Sequence, residues 1–290
     1  MRPLNVREAV RSLKRDGLYV IHDALSSAEV AELRADGHRL HAERPPYVRE
    51  AIGGSAGFRL NLIPARLDRH HAWATLPSYG RVLGEPGIQA IAKGYLGRGW
   101  GVSNFIYDYS VPAGTELFTL HYDDFDGCVC LKVYAYLTDC DRGNGGFRYV
   151  PGTHRLAHWL IRRNRRTLNV PSTAGSSDYT EYDLATFLAA LGASPLPPGL
   201  RADYDRVRAA LKTADDHVIR GRAGTIALFD TSGIHGAGTH TEGDRYICRY
   251  HLVDRRYVLR HIPAQARPLD RWVSYTLSSI RRRVASLLPR

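Results

Sequence analysis

The segment LHYDD, residues 120–124, places a histidine and a carboxylate two positions apart in a run that otherwise has the composition of a β-strand. Side chains at i and i+2 of a strand point to the same side, so His121 and Asp123 enter the same space. An unpaired carboxylate is costly to bury there, and a cation relieves the cost. Alone, an H-x-D pair is better explained by a solvent-facing strand end. The far end of the chain changes that reading. In GTIALFDTSGIHGAGTHTEGDRYICRYHLV, residues 224–253, a strand runs into a tight turn, His235 follows directly, and Arg245 lies on the next strand. Two histidines and one carboxylate on one face of a metal form the facial triad of non-haem Fe(II) oxygenases, with three coordination positions left open. Arg245 offers a planar fork suited to a carboxylate, so one acid can chelate iron at one end and meet the arginine at the other.

Other residues compete for these roles. His240 and Arg249 form an alternative pair, but His240 sits inside the Gly-rich loop and not at a strand end. His38 and His41 are spaced i, i+3 on a helix, and a polar helix face explains them. His70 and His71 alternate faces or turn apart, and a polar surface is expected for them. Cys128 and Cys130 share a strand face near the triad and need no role beyond that of small wall residues.

These groups require a scaffold, and the bulk composition permits one. A chain of 290 residues with 44% hydrophobic content can bury a full core as one domain. Four cysteines without C-x-x-C spacing read as reduced, buried thiols, which favours the cytoplasm. The N-terminus lacks an apolar signal region, and no stretch approaches the roughly 18 apolar residues of a transmembrane segment. The net charge of +11 comes almost wholly from arginine, spread along the chain, with local runs at 162–166 and 281–283. It reads as a solvated basic surface, and no nucleic-acid partner is expected.

The opening is helix, strand, helix. Val6, Ala9, Val10 and Leu13 form an apolar stripe closed by Gly17, LYVIHDAL is a short strand, and Ser26 with Glu29 forms a capping box before the second helix. From about residue 100, seven or eight short runs rich in Val, Ile, Phe and Tyr alternate with turn residues. In LKVYAYLT, Val133, Ala135 and Leu137 face away from Lys132, Tyr134 and Tyr136, one aliphatic face against one aromatic and polar. Such a chain is mainly β with helical decoration. A connection of some 70 residues between VPGTH and GTIALFD interrupts the strands and has the length of a functional lid.

The H-x-D pair, YLTDCDRGNGGFRYVPGTH, GTIALFDTSGIHGAG and the trailing arginine together resemble the phytanoyl-CoA dioxygenase family of Fe(II)- and 2-oxoglutarate-dependent oxygenases, over roughly residues 8–255. The resemblance implies a double-stranded β-helix, a jelly-roll or cupin-like barrel. It assigns Fe(II) to His121, Asp123 and His235, the distal carboxylate of 2-oxoglutarate to Arg245, and O2 as co-reactant. His154 in PGTH repeats a family turn motif and reads as a hydrogen-bonding loop histidine. Ala237 stands where the family often carries a hydroxyl beside the arginine, so Thr239 or a strand tyrosine must substitute or the contact is absent. Asn104, Tyr107 and Lys132 are candidates for the remaining cosubstrate contacts. The implied domain spans 1–290: helical support over 1–99, β core over 100–154 and 217–255, a lid over 155–216, and an amphipathic helix over 265–290.

The expected reaction is hydroxylation of an aliphatic C–H in a small-molecule substrate, with release of succinate and CO2. Desaturation, epimerisation or ring formation would use the same triad, while the presence of Asp123 argues against chlorination. A cupin-like metalloenzyme that does not use 2-oxoglutarate, and a non-catalytic basic jelly-roll module, are the alternatives. Val273, Leu277, Ile280, Val284 and Leu287 form an apolar helical stripe, expected to pack on the domain or on a second subunit of a homo-oligomer, with a membrane-surface role as the alternative. Arg162, Arg163, Arg165, Arg166, Arg201, Arg206, Arg208, Arg220 and Arg222 lie in or beside the long connection, and arginines at a pocket mouth would favour an anionic substrate.

Overall fold

The computed structural model describes residues 4–50, 57–69, 72–164, 180–211 and 217–262. Helix α1 (Val6–Asp16), strand β1 (Leu18–Ile21) and helix α2 (Ser27–Glu43) form the expected opening. Gly17 ends α1 at φ 78°, a left-handed conformation that costs glycine least, and its N–H bonds Leu13 O at 2.9 Å. The Ser26–Glu29 capping box is formed in both directions. Strands β2 (Val48–Glu50) and β3 (Gly57–Leu62) follow, then helices α3 (Pro64–Arg69) and α4 (Pro86–Leu96).

The β region begins with β4 (Gly101–Ser110), β5 (Glu116–Asp124), β6 (Cys130–Tyr136) and β7 (Phe147–Tyr149). The long connection contributes α5 (Thr153–Asn164), β8 (Thr180–Asp183), α6 (Leu184–Gly192) and α7 (Pro198–Leu211). Strands β9 (Ile226–Asp230), β10 (His235–Thr239) and β11 (Arg245–Val253) complete the sheets, and α8 (Arg255–His261) follows. The strands form two antiparallel sheets, β1-β9-β6-β11-β4-β3-β2 and β7-β10-β5-β8. This is the jelly-roll arrangement that the resemblance implies, built as two sheets and not as a closed barrel.

Alternation along the strands separates two environments. Val133, Ala135 and Leu137 join Phe105, Tyr107, Tyr246, Cys248, Tyr250 and the apolar stripes of α1, α2 and α4 in the main core. Glycine at position 37 allows α2 close to the sheet, since a Cβ there would lie 1.8 Å from the Tyr246 hydroxyl. Tyr134 and Tyr136 turn the other way, toward Phe147 and Phe229 between the sheets. Aliphatic and aromatic faces thus fall as the period of two requires.

The helices of the long connection back the small sheet. Leu156, Leu160, Phe187 and Leu191 pack with Tyr122 and Ile234 in a second core. Tyr122 occupies the opposite face of β5 from His121 and Asp123. The connection also adds β8 to the edge of the small sheet, pairing Asp123 with Glu181 in register. The amphipathic stretch over 265–290 lies outside the described residues. Among the described residues, no helix is long and apolar enough to cross a membrane.

Candidate active site

Strands β5 and β10 are neighbours, with His121 and His235 directly paired and their ring centroids 4.5 Å apart. Asp123, two residues along β5, lies between the imidazole tips: His121 Nε2 is 3.6 Å from Oδ1 and His235 Nε2 is 3.5 Å from Oδ2. Both rings are oriented from behind. His121 Nδ1 donates to Thr119 O at 2.7 Å, and His235 Nδ1 donates to Gly233 O at 2.8 Å. A proton on Nδ1 leaves the Nε2 lone pair pointing inward, the arrangement of a metal-ligating histidine.

The turn that delivers His235 is fixed along its length. Asp123 N donates to Thr231 O at 2.9 Å, Ser232 N donates to Asp230 Oδ1 at 2.9 Å, and Ile234 N donates to Thr153 Oγ1 at 2.7 Å. Asp230 is anchored further by the Tyr95 hydroxyl at 2.5 Å and lies 3.1 Å from His158 Nε2. Sequence reading singled out none of Tyr95, His158 and Asp230. They come from three separate elements, and no local spacing connects them.

The three side chains are buried, and their ligand atoms lie within 4.8 Å of one another. Asp123 Oδ1 and His235 Nε2 are buried without a hydrogen-bond partner among the described residues. Two orphaned polar atoms aimed at one point are expensive unless something binds them. A divalent cation with an affinity for nitrogen and oxygen fits this set. Electrostatics agree. Burial acts to raise the Asp123 carboxyl, but the charges of Lys132, His235 and His121 hold it far below the usual carboxylate range. Burial, followed by the charge of His121, lowers His235 to about 4, so its imidazole is neutral at physiological pH.

From the two histidines a chamber continues between Phe118, Tyr134, Phe147, Ala237, Arg245 and Arg249. Arg245 is 3% exposed, and its Nε has no hydrogen-bond partner among the described residues. Arg249 is engaged differently, 3.3 Å from Asp108 Oδ2 and 3.4 Å from the Tyr134 hydroxyl. Asp108 also receives Arg59 at 3.0 Å. Arg245 is therefore the less committed of the two arginines in the chamber.

The other sequence candidates divide. Lys132 lines the chamber, but its Nζ donates to Asp123 Oδ2 at 2.6 Å. Asn104 is buried opposite His251, with its Oδ1 accepting from Phe105 N at 2.9 Å. Tyr107 is a correction to the sequence reading: it points into the core beneath α2, and its hydroxyl donates to Asp36 at 2.8 Å. Thr239 is exposed at the end of β10, outside the chamber lining. His240 bonds Gly243 O at 2.5 Å just past β10, while His154 lies in the first turn of α5 rather than in a loop and bonds Lys14 O at 3.3 Å. His38 and His41 pack against Phe58, the latter stacked at 4.4 Å. The described lid arginines lie elsewhere: Arg206 pairs with Asp203, Arg201 and Arg208 sit over the Tyr204 ring, and Arg220 and Arg222 line a separate surface groove. Arg165 and Arg166, and the side chains of Arg162 and Arg163, lie outside the described residues.

The phytanoyl-CoA dioxygenase (PhyH) family matches residues 13–247. The chain belongs to that family. It is accordingly a non-haem iron dioxygenase that uses 2-oxoglutarate and O2, and the His121–Asp123–His235 cluster suits the iron of a PhyH enzyme. No curated protein matches the chain. Among solved structures it is similar to the non-haem alpha-ketoglutarate-dependent carbocyclase SnoK from nogalamycin biosynthesis, at 22% identity and TM-score 0.56, over 88% of this chain and 87% of that one. The epimerase SnoN in complex with Fe3+, alpha-ketoglutarate and nogalamycin RO is 17% identical, with TM-score 0.51 over 86% and 83%. EctD from S. alaskensis, with 2-oxoglutarate and 5-hydroxyectoine, is 17% identical, with TM-score 0.52 over 87% and 77%. At these identities the likeness establishes the shared fold.

Proposed function

We propose that His121, Asp123 and His235 hold Fe(II), that Arg245 receives the distal carboxylate of 2-oxoglutarate, and that this PhyH enzyme hydroxylates an aliphatic C–H of a small molecule. The observation that carries the reading is the buried convergence of three ligand atoms within 4.8 Å, two of them without partners among the described residues. When bound, iron and 2-oxoglutarate supply the oxidising power for C–H cleavage, consuming O2 and releasing succinate and CO2.

The chain contributes orientation and dryness. Thr119 O and Gly233 O hold the imidazoles in the ligating tautomer, and Phe118, Tyr134 and Phe147 exclude water from the space beside them. Arg245 fixes one end of the cosubstrate by a charge-assisted fork. The small-molecule reading needs nothing from the lid arginines; Arg201, Arg206, Arg208, Arg220 and Arg222 do not line the chamber. The experiment is to incubate the iron-loaded enzyme with 2-oxoglutarate and candidate metabolites, following succinate and product mass. Hydroxylation predicts substrate-dependent succinate and a product heavier by one oxygen atom. A product lighter by two hydrogens, or of unchanged mass, would replace hydroxylation with desaturation, ring formation or epimerisation.

A further inference from the structure

Lys132 occupies the middle of β6 with 2% of its surface exposed. A lysine is almost never buried this deeply unless its charge is paired. Its Nζ donates to Asp123 Oδ2 at 2.6 Å, whereas Oδ1 of the same carboxylate has no hydrogen-bond partner among the described residues. Distance to the imidazoles does not distinguish the two oxygens, at 3.6 Å from His121 for Oδ1 and 3.5 Å from His235 for Oδ2. The lysine does distinguish them.

We infer that Lys132 is a positioning residue: it occupies Oδ2 and commits Asp123 to holding the metal through Oδ1 alone. The inference rests on the ligand assignment proposed above and adds a role for a residue outside the triad. Carboxylates bind divalent ions through one oxygen or both. In an octahedral ion, one-oxygen ligation by Asp123 with two histidines leaves three positions, while two-oxygen ligation leaves two. A cosubstrate chelating through two atoms, together with O2, needs three. Lys132 therefore protects the vacancy on which the reaction depends, and it does so through Asp123 without touching the cosubstrate.

The test uses Mn(II) and the full-length protein without cosubstrate, reading the number of exchangeable metal-bound waters by proton relaxation. Lys132→Met keeps the length of the side chain and removes the donor. The inference predicts three waters in the wild type and two in Lys132→Met, a fall of about one third in inner-sphere relaxivity. Three waters in both proteins would overturn the inference while leaving the ligand assignment intact. A wild type that binds no Mn(II) would overturn both. Should the variant not fold, the crystal structure of the wild type with Mn(II) and 2-oxoglutarate decides. Lys132 Nζ hydrogen-bonded to the non-ligating oxygen of Asp123 supports the inference. Nζ moved onto the cosubstrate, or both Asp123 oxygens on the metal, contradicts it.

Discussion

Replacing Arg245 by alanine separates cosubstrate binding from metal binding. Arg245 lines the chamber beside His121 and His235, and its Nε makes no hydrogen bond among the described residues. That buried Nε is a donor a carboxylate could satisfy. Loss of hydrogen bonds to a charged group costs about 1.5–3 kcal/mol, roughly a 10- to 150-fold rise in the 2-oxoglutarate concentration required. Arg245→Lys keeps the charge without the fork and should fall between alanine and the wild type. Arg249→Ala is the control, because Arg249 is engaged with Asp108 and Tyr134. The assay is equilibrium binding of 2-oxoglutarate under anaerobic conditions, with Mn(II) affinity measured alongside. An unchanged requirement in Arg245→Ala together with a large rise in Arg249→Ala would instead assign the carboxylate to Arg249.

Tyr107→Phe should lower stability by about 1–3 kcal/mol in chemical denaturation, through the lost hydrogen bond to Asp36, and leave the 2-oxoglutarate requirement unchanged. Burial acts to raise the Asp108 carboxyl, but Arg59, Arg249 and Arg245 together hold it below its ordinary value. A folded pKa below the unfolded value of about 3.9 contributes stability that is complete above that pH and lost as pH falls further. Asp108→Asn should therefore cost about 3–5 kcal/mol at pH 7 and flatten the acid limb of a stability–pH curve, whereas an unaltered limb would count against the ion cluster. Burial, with the nearby charge of Asp254, pushes the Cys128 thiol up to about 11, so native protein at pH 8 should resist alkylation there while unfolded protein reacts.

Each half of the triad carries a local signal, and the two became a triad only when the distant halves were read together. H-x-D on a strand determines a shared face, and a histidine directly after a strand and turn determines a strand-end position. The two faces of β6 and the capped opening of α2 follow equally from period and cap chemistry. The placement of Tyr107 was partly legible too: it lies three residues from Asn104 on one strand, so the two cannot share a face. Other features depend on distance along the chain. Arg59 meets Asp108 across 49 residues, and Tyr95 meets Asp230 across 135. The partner of Lys132 was hidden for a different reason. Its face was readable, but which acceptor on that face it reaches is decided by how the two sheets stand against each other.

If His121, Asp123 and His235 bind iron, three positions remain for 2-oxoglutarate and O2. Anaerobic addition of Fe(II) and 2-oxoglutarate to the protein tests this arrangement directly through the weak visible charge-transfer band of the chelate. The band should appear in the wild type only when both are present and be lost in Asp123→Ala. A wild type that binds iron without developing the band would contradict it, as would a band undiminished in Asp123→Ala.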